Sequence, residues 1–167
     1  MAKDNLILDK NQILQKIKRI AYEIYERNLH EEEIIISGVK DMGYVLAKMI
    51  VKELEAIAPL KPTLVSLSVD KTAHTQSEVE LDCEPSIFSG KCVVLVDDVL
   101  NSGKTLAYCI KPFLEAGVKK LETAVLVNRS HKLFPISADY NGYELSTTLN
   151  EHVAVKLDPD MMGVYLF

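Results

Sequence analysis

The sequence predicts an α/β fold, a mainly parallel sheet flanked by helices. Apolar runs such as Val93–Val96 are short, β-branched and without polar alternation, which suits strands buried on both faces of a parallel sheet. Segments with apolar residues at helical spacing lie between those runs, and such alternation of strand and helix builds parallel sheets.

The elements follow in order along the chain. Asp9 and Gln12 read as a capping box opening a helix, with Ile13, Ile17, Ile20 and Ile24 on one face to about Asn28. "EIIISG", residues 33–38, is a buried strand, and Tyr44 to Ile57 is a helix that stops before Pro59. "TLVSLSV" is a further strand, and the polar stretch from Asp70 to Ser89 reads as containing a mobile loop. Val93–Val96 is followed by a turn from Asp97 to Lys104. One helix is then expected from Thr105, with Leu106, Ile110, Phe113 and Leu114 on one side and Gly117 as its stop. "LETAVLV" gives another parallel strand, and short strands are expected from Ala138 onward.

Composition bounds the function without naming it. At 167 residues the chain has the size of one domain, spanning 1–167, with 48% hydrophobic residues and a mean hydropathy of +0.07. No apolar run approaches the roughly 18 residues of a membrane-spanning helix, and the N-terminus lacks a signal-peptide core. Cys83, Cys92 and Cys109 are odd in number and without CxxC spacing, which points to reduced thiols in a cytoplasmic protein and to no zinc site. The net charge of −5 argues against a dedicated nucleic-acid binder.

The chemistry concentrates in "CVVLVDDVLNSGKTL", Cys92 to Leu106. Two adjacent carboxylates close an apolar strand, and Ser-Gly-Lys-Thr follows. Open α/β sheets bind ligands at the carboxyl ends of their strands, where loop amides and a helix start can seat a phosphate. The ATP or GTP phosphate loop is excluded, because the glycine required five residues before Gly103 is Asp98, and two acids would repel a polyphosphate. A sugar phosphate with free vicinal hydroxyls fits both halves.

The run "VVLVDDVLNSGKT" resembles the signature of the type I phosphoribosyltransferases, which bind 5-phosphoribosyl-1-diphosphate (PRPP). That resemblance implies a twisted, mainly parallel sheet with a small hood, formed by about 128–167 with the N-terminal segment. It implies that Asp97 and Asp98 hold the ribose hydroxyls, while Asn101, Ser102, Gly103, Lys104 and Thr105 cradle the 5-phosphate. "ISGVKDMGY" matches the family's pyrophosphate loop, so Gly38, Val39, Lys40, Asp41 and Gly43 would line the diphosphate, the two glycines allowing close backbone approach. Mg²⁺ is implied as cofactor, held chiefly by the ligand's own oxygens, with Asp97 the candidate protein contact.

Nearly the whole chain is similar to the pyrimidine operon attenuator/uracil phosphoribosyltransferase group of that family. By that similarity the partners are PRPP and a nucleobase, and the assembly is a homodimer or higher homo-oligomer. Tyr140 and Asn141 match positions that contact the base, and Asn128 and Arg129 sit at the strand end opposite. Tyr140 suits a half-buried tyrosine of the hood core equally well, and His131 suits a surface or hydrogen-bonding role better than a catalytic one. Asn101 and Asn128 stand where purine-type relatives carry an aspartate and a lysine, which favours a pyrimidine. Met42 replaces an arginine of the pyrophosphate loop. The flexible loop reads "VDKTAHTQSEV" where the group has Tyr-Arg-Asp-Asp, leaving Lys71 as the candidate catalytic cation there, with His74 beside it. The alternative is an RNA-binding attenuator that senses nucleotide, using Lys16, Lys18, Arg19 and Arg27, with Lys119, Lys120, Arg129 and Lys132 if folding gathers them. A solvated helix face is the simpler reading of these cations.

Overall fold

The computed structural model describes residues 5–167. Its main sheet has six strands: β2 (Glu33–Val39), β3 (Lys61–Val69), β4 (Val79–Leu81), β5 (Cys92–Leu100), β6 (Lys120–Asn128) and β7 (Tyr140–Glu144), in the order β4-β3-β2-β5-β6-β7. All neighbours run parallel except β4, which closes the edge antiparallel to β3. A second, three-stranded antiparallel sheet is built from β1 (Leu6–Leu8), β9 (Gly163–Leu166) and β8 (Val153–Lys156). The segment expected to form the hood is therefore divided. β7 extends the main sheet, and the small sheet pairs the chain's two ends.

Helix α1 (Lys10–Arg27) starts as its sequence dictates. Asp9 Oδ1 accepts from the Gln12 N–H at 2.9 Å while Gln12 Oε1 accepts from the Asp9 N–H at 2.9 Å. Ile13, Ile17, Ile20 and Ile24 are all buried. They form one core with α2 (Met42–Ile57), Ile34 and Ile36 of β2, and Val94 and Val96 of β5. On the opposite face, alternate residues Ile35, Val93 and Leu95 pack with Phe88 and Phe113, whose rings meet edge-on at 4.9 Å.

Two expectations fail for identifiable reasons. The helix after the signature is two pieces, α3 (Lys104–Cys109) and α4 (Lys111–Ala116), because Pro112 has no N–H for the carbonyl of Tyr108 and its ring clashes there. The strand carrying the acids runs on through Leu100, so Asp97 and Asp98 are strand residues and the turn is confined to 101–103.

Gly38 fixes how α2 sits on the sheet. A Cβ there would lie 2.6 Å from the Tyr44 Cα and 2.8 Å from the Ala47 Cβ. Gly38→Ala should therefore push α2 outward at an overpacking cost of about 1–3 kcal/mol, lowering the melting temperature by about 2–4 °C per kcal/mol. A melt identical to wild type would show that this contact yields freely.

Candidate active site

The carboxyl ends of β2, β3, β5 and β6 bring together most of the residues that the sequence singled out. Asn101–Leu106, with Asp97, Val99 and Leu100, wrap a cavity of about 140 Å³. Gly103 has φ +85°, and a Cβ on it would meet the Phe134 carbonyl oxygen at 3.3 Å. The Lys104 N–H donates to Ser102 Oγ at 3.2 Å, while among the described residues the N–H groups of Ser102, Gly103, Thr105 and Leu106 meet no protein acceptor. With α3 only six residues long, these loop amides rather than a helix start are the donors open to an anion.

The segment after β6 holds this turn in shape. The Leu133 and Phe134 N–H groups donate to the Ser102 carbonyl at 2.8 and 3.1 Å. Sequence reading assigned that stretch to the hood approach and missed the buttress, since backbone-to-backbone support leaves no side-chain signature.

Asp97 is almost fully buried, and Gly43 lies against it: a Cβ on Gly43 would sit 3.0 Å from Asp97 Oδ1 and 3.1 Å from its Cα. Asp97 Oδ1 accepts from the Asp98 N–H at 2.9 Å. Burial first, and then the neighbouring Asp98 carboxylate, hold the Asp97 pKa well above the usual carboxylate range, while the Lys71 ammonium pulls it down. The pair is unequal: Asp97 is sealed in and Asp98 half-buried. Cys109 feels the same environment, burial and then Asp97 pushing its thiol up to about 12.

The pyrophosphate-loop candidates divide. Gly38 and Val39 are residues of β2, Gly38 paired with both neighbouring strands and Val39 with β3, and the Val39 side chain is buried. With Gly43 under Asp97, both glycines serve close helix–strand packing rather than approach to a ligand. Asp41 caps α2 with φ +74°, a conformation that costs a non-glycine residue on the order of 1–3 kcal/mol. The Lys40 N–H donates to Leu67 O at 2.7 Å, and its side chain lines a cleft with Ser66, Ser68, Glu80 and Asp82. Met42 packs against the α1–α2 core and lines an apolar cleft of about 280 Å³ with Val155, Leu157 and Met161. It faces the small sheet, which sequence reading did not anticipate.

Three base-contact candidates are corrected. Tyr140 is fully buried and pairs with Ala124, four residues short of the carboxyl end of β6; its hydroxyl donates to Glu122 Oε2 at 2.9 Å and Arg27 lies over its ring. Burial and then Glu122 raise its pKa. Asn141 sits beside it, its side-chain Nδ2 donating to Glu144 Oε1 and its main-chain carbonyl accepting from Arg19. Arg129 stands at the right strand end, but its guanidinium donates to Thr147 Oγ1, Thr148 O and Glu151 O, pinning the loop after β7. Asn128 remains at the strand end, where its Oδ1 accepts from the Ser130 N–H at 2.9 Å. His131 Nε2 hydrogen-bonds Thr147 O at 2.8 Å, the non-catalytic role that its context favoured.

Comparison with known proteins agrees with this geometry. A model of the phosphoribosyl transferase domain family matches residues 5–160. Proteins named "Bifunctional protein PyrR" are similar along most of the chain. That of Haemophilus ducreyi is 32% identical (93% of this chain, 90% of that protein) and that of Clostridium kluyveri 36% (91% and 89%). Among solved structures, the hypoxanthine phosphoribosyltransferase of Trypanosoma cruzi shares the fold with a TM-score of 0.80 at 19% identity, covering 97% of this chain and 95% of that one. A hypoxanthine-guanine phosphoribosyltransferase of Bacillus anthracis gives 0.78 at 20%, covering 98% and 96%.

Asp97 binds its proton more tightly in the folded chain than in the unfolded one. Its contribution to stability therefore falls as pH rises from about 3.9, the unfolded value, through the raised folded value. Asp97→Asn removes that ionisation. Its melting temperature should match wild type near pH 3 and exceed it increasingly toward pH 8, by about 2–4 °C per kcal/mol relieved. Parallel melting curves over pH would refute the buried-carboxylate account.

Proposed function

The chain belongs to the phosphoribosyltransferase family, and on that premise we propose that it transfers the 5-phosphoribosyl group of PRPP to a nucleobase, with a pyrimidine such as uracil as acceptor and diphosphate as leaving group. The observation that carries the proposal is one cavity lined both by unpaired loop amides, suited to a phosphate, and by Asp97, suited to hydroxyl donors.

The amides of 102–106 bind the 5-phosphate, and Asp97 and Asp98 accept from ribose hydroxyls. Donors arriving with the ligand satisfy Asp97 as a carboxylate and offset its burial. Lys71 brings positive charge to the same end of the sheet. These residues position the sugar and balance charge, which is most of what displacement at C1 asks of a protein. The apolar cleft at Met42, Val155, Leu157 and Met161 offers a wall for a flat base.

The donor set suits Mg²⁺ delivered with PRPP. Among the described residues no three histidine, cysteine, aspartate or glutamate side chains converge, and magnesium keeps waters and ligand phosphates around one or two carboxylates. Asp97 Oδ1 already accepts one hydrogen bond, so half-buried Asp98 is the more open contact. When bound, the ion neutralises charge on the diphosphate. Among the described residues no helix is long and apolar enough to cross a membrane, and the three cysteines are unpaired, in keeping with a cytoplasmic protein.

A second role in RNA binding draws on one observation. A groove of about 390 Å³ between β1, α1 and β7 is lined by Gln12, Gln15, Lys16, Arg19 and Tyr143, outside the Asp97 cavity. Arg19 is itself held by the Asn141 and Gly142 carbonyls and by Glu23, and four further cations contribute less: Arg27 and Lys120 meet Glu122, Lys119 meets Glu31, and Arg129 is pinned in its loop. Phosphate contacts through Lys16 and Arg19 would give a salt slope of about −0.7 per neutralised phosphate on single strands. Retention of a structured-RNA pool at about 0.15 M salt that Arg19→Gln weakens would support the role, and no retention would remove it.

Titration of PRPP with Mg²⁺ tests the main reading. Replacing Asp97 and Asp98 together by Asn should weaken binding at least about tenfold, since hydrogen bonds to charged groups contribute about 1.5–3 kcal/mol each. A folded double variant with unchanged affinity would overturn the assignment.

A further inference from the structure

The segment between β3 and β4 is fastened at a single point. Within it, Asp70 Oδ1 accepts from the Thr72 N–H at 2.9 Å and from its hydroxyl at 2.7 Å, a purely local turn. Beyond that turn, Gln76 Nε2 donates to the Tyr108 carbonyl at 2.9 Å. Among the described residues this is the one hydrogen bond that joins residues 71–78 to another element.

The carbonyl that Gln76 finds is available because of Pro112. In a continuous helix the N–H of residue 112 would donate to Tyr108 O, and proline has none. The break between α3 and α4 thus leaves a main-chain acceptor beside a nearly buried tyrosine, and such groups require partners. Gln76 supplies one from a different part of the chain. Tyr108 in turn belongs to the helix that opens on the anion-binding turn, with the Lys104 Nζ 5.6 Å from its ring centroid. At the other end of the segment, Lys71 lies close enough to act on Asp97, and Lys104 close enough to act on Asp70. The segment therefore runs from the sugar-binding acids to α3 and is tied there.

We propose that Gln76 is a positioning residue, whose bond to the carbonyl freed by Pro112 holds the 70–78 segment over the Asp97 cavity and keeps Lys71 beside the bound phosphoribosyl group. Its chemical consequence rests on the phosphoribosyltransferase reading; the tether itself does not. With the segment held down, water is kept from C1 of the sugar, so diphosphate leaves only as the base nitrogen bonds to that carbon. With it loose, water attacks C1 instead, giving ribose 5-phosphate and free diphosphate without a base.

Two measurements separate the tether from its use. Trypsin cleavage after Lys71 in the ligand-free protein reports how often the segment lifts, since cleavage tracks the open population when opening is fast. Gln76→Leu keeps the bulk and removes the donor, and cleavage should quicken about threefold to tenfold, the factor that one net hydrogen bond commands. Pro112→Ala gives residue 112 its own N–H for Tyr108 O and should produce the same change without altering the segment. Thermal melts of both variants check that they fold. With PRPP and uracil, Gln76→Leu should lower kcat for transfer by a similar factor and raise the share of diphosphate released without base, leaving KM for the base nearly unchanged. Cleavage at the wild-type rate in Gln76→Leu overturns the tether. Faster cleavage with unaltered kcat and release overturns the positioning role. A wild-type protein that neither binds PRPP nor releases diphosphate from it overturns the phosphoribosyltransferase reading, while the proteolysis still decides the tether.

Discussion

A carboxylate buried at the end of a central strand is the constraint around which this structure is arranged. Removing Asp97 from water disfavours its charged form, and the adjacent Asp98 adds to the penalty. Among the described residues no ion pair offsets it, and the Lys71 ammonium lowers the pKa only in part. The fold tolerates the carboxylate because both cores are dense and apolar on either face of β5, supplying stability that one strained position can draw down. Beyond the Asp98 N–H and the Lys71 charge, further relief would come from hydrogen-bond donors on the proposed ligand.

Backbone proximity enforces that burial. Gly43, in the first turn of α2, is pressed against Asp97, and Gly38 lets α2 come down onto β2. The same close approach forces the chain through Asp41 with a positive φ. Strain at Asp41 and desolvation at Asp97 are thus two expressions of one packing decision, and both lie at the ligand end of the sheet. Strain and perturbed ionisation gathered in one place mark a site more reliably than either alone.

Local chemistry was legible in the sequence and long-range register was not. The capping box at Asp9 and the isoleucine face of α1 are patterns within one helix, and the fold contains both. The strand-to-helix turn at 101–103 was legible because its residues are contiguous. Pro112 was a readable helix break that amphipathic spacing from Leu106 to Leu114 concealed. Tyr140 failed for a deeper reason. Whether a tyrosine reaches the ligand depends on β7 joining the main sheet in parallel, opposite Ala124, and no local pattern encodes that pairing. Met42 shares this limit: it reads as a residue of the loop before a helix from Tyr44, whereas it opens α2 and packs against a small sheet assembled from both ends of the chain.

The balance of forces also explains why the 70–78 segment is tied so lightly. A cover over a reacting sugar must exclude water during the chemistry and lift for every substrate and product. One net hydrogen bond contributes about 0.5–1.5 kcal/mol, which biases an open–closed equilibrium by a factor of only about 2 to 12. A buried apolar side chain of leucine size would add about 1.5–3 kcal/mol and shift that bias by a further factor of about 10 to 150. Residues 71–78 make no such commitment: Lys71, Thr72, His74, Thr75 and Gln76 are exposed, and Ala73, Ser77 and Glu78 only partly covered or open. The anchor is instead a carbonyl made available by a proline in another helix, so the holding strength is set outside the segment. The residues over the cavity are then left to meet the ligand, with Lys71 nearest the acids. That division lets the loop sequence depart from the Tyr-Arg-Asp-Asp pattern while the cover still has a defined resting place.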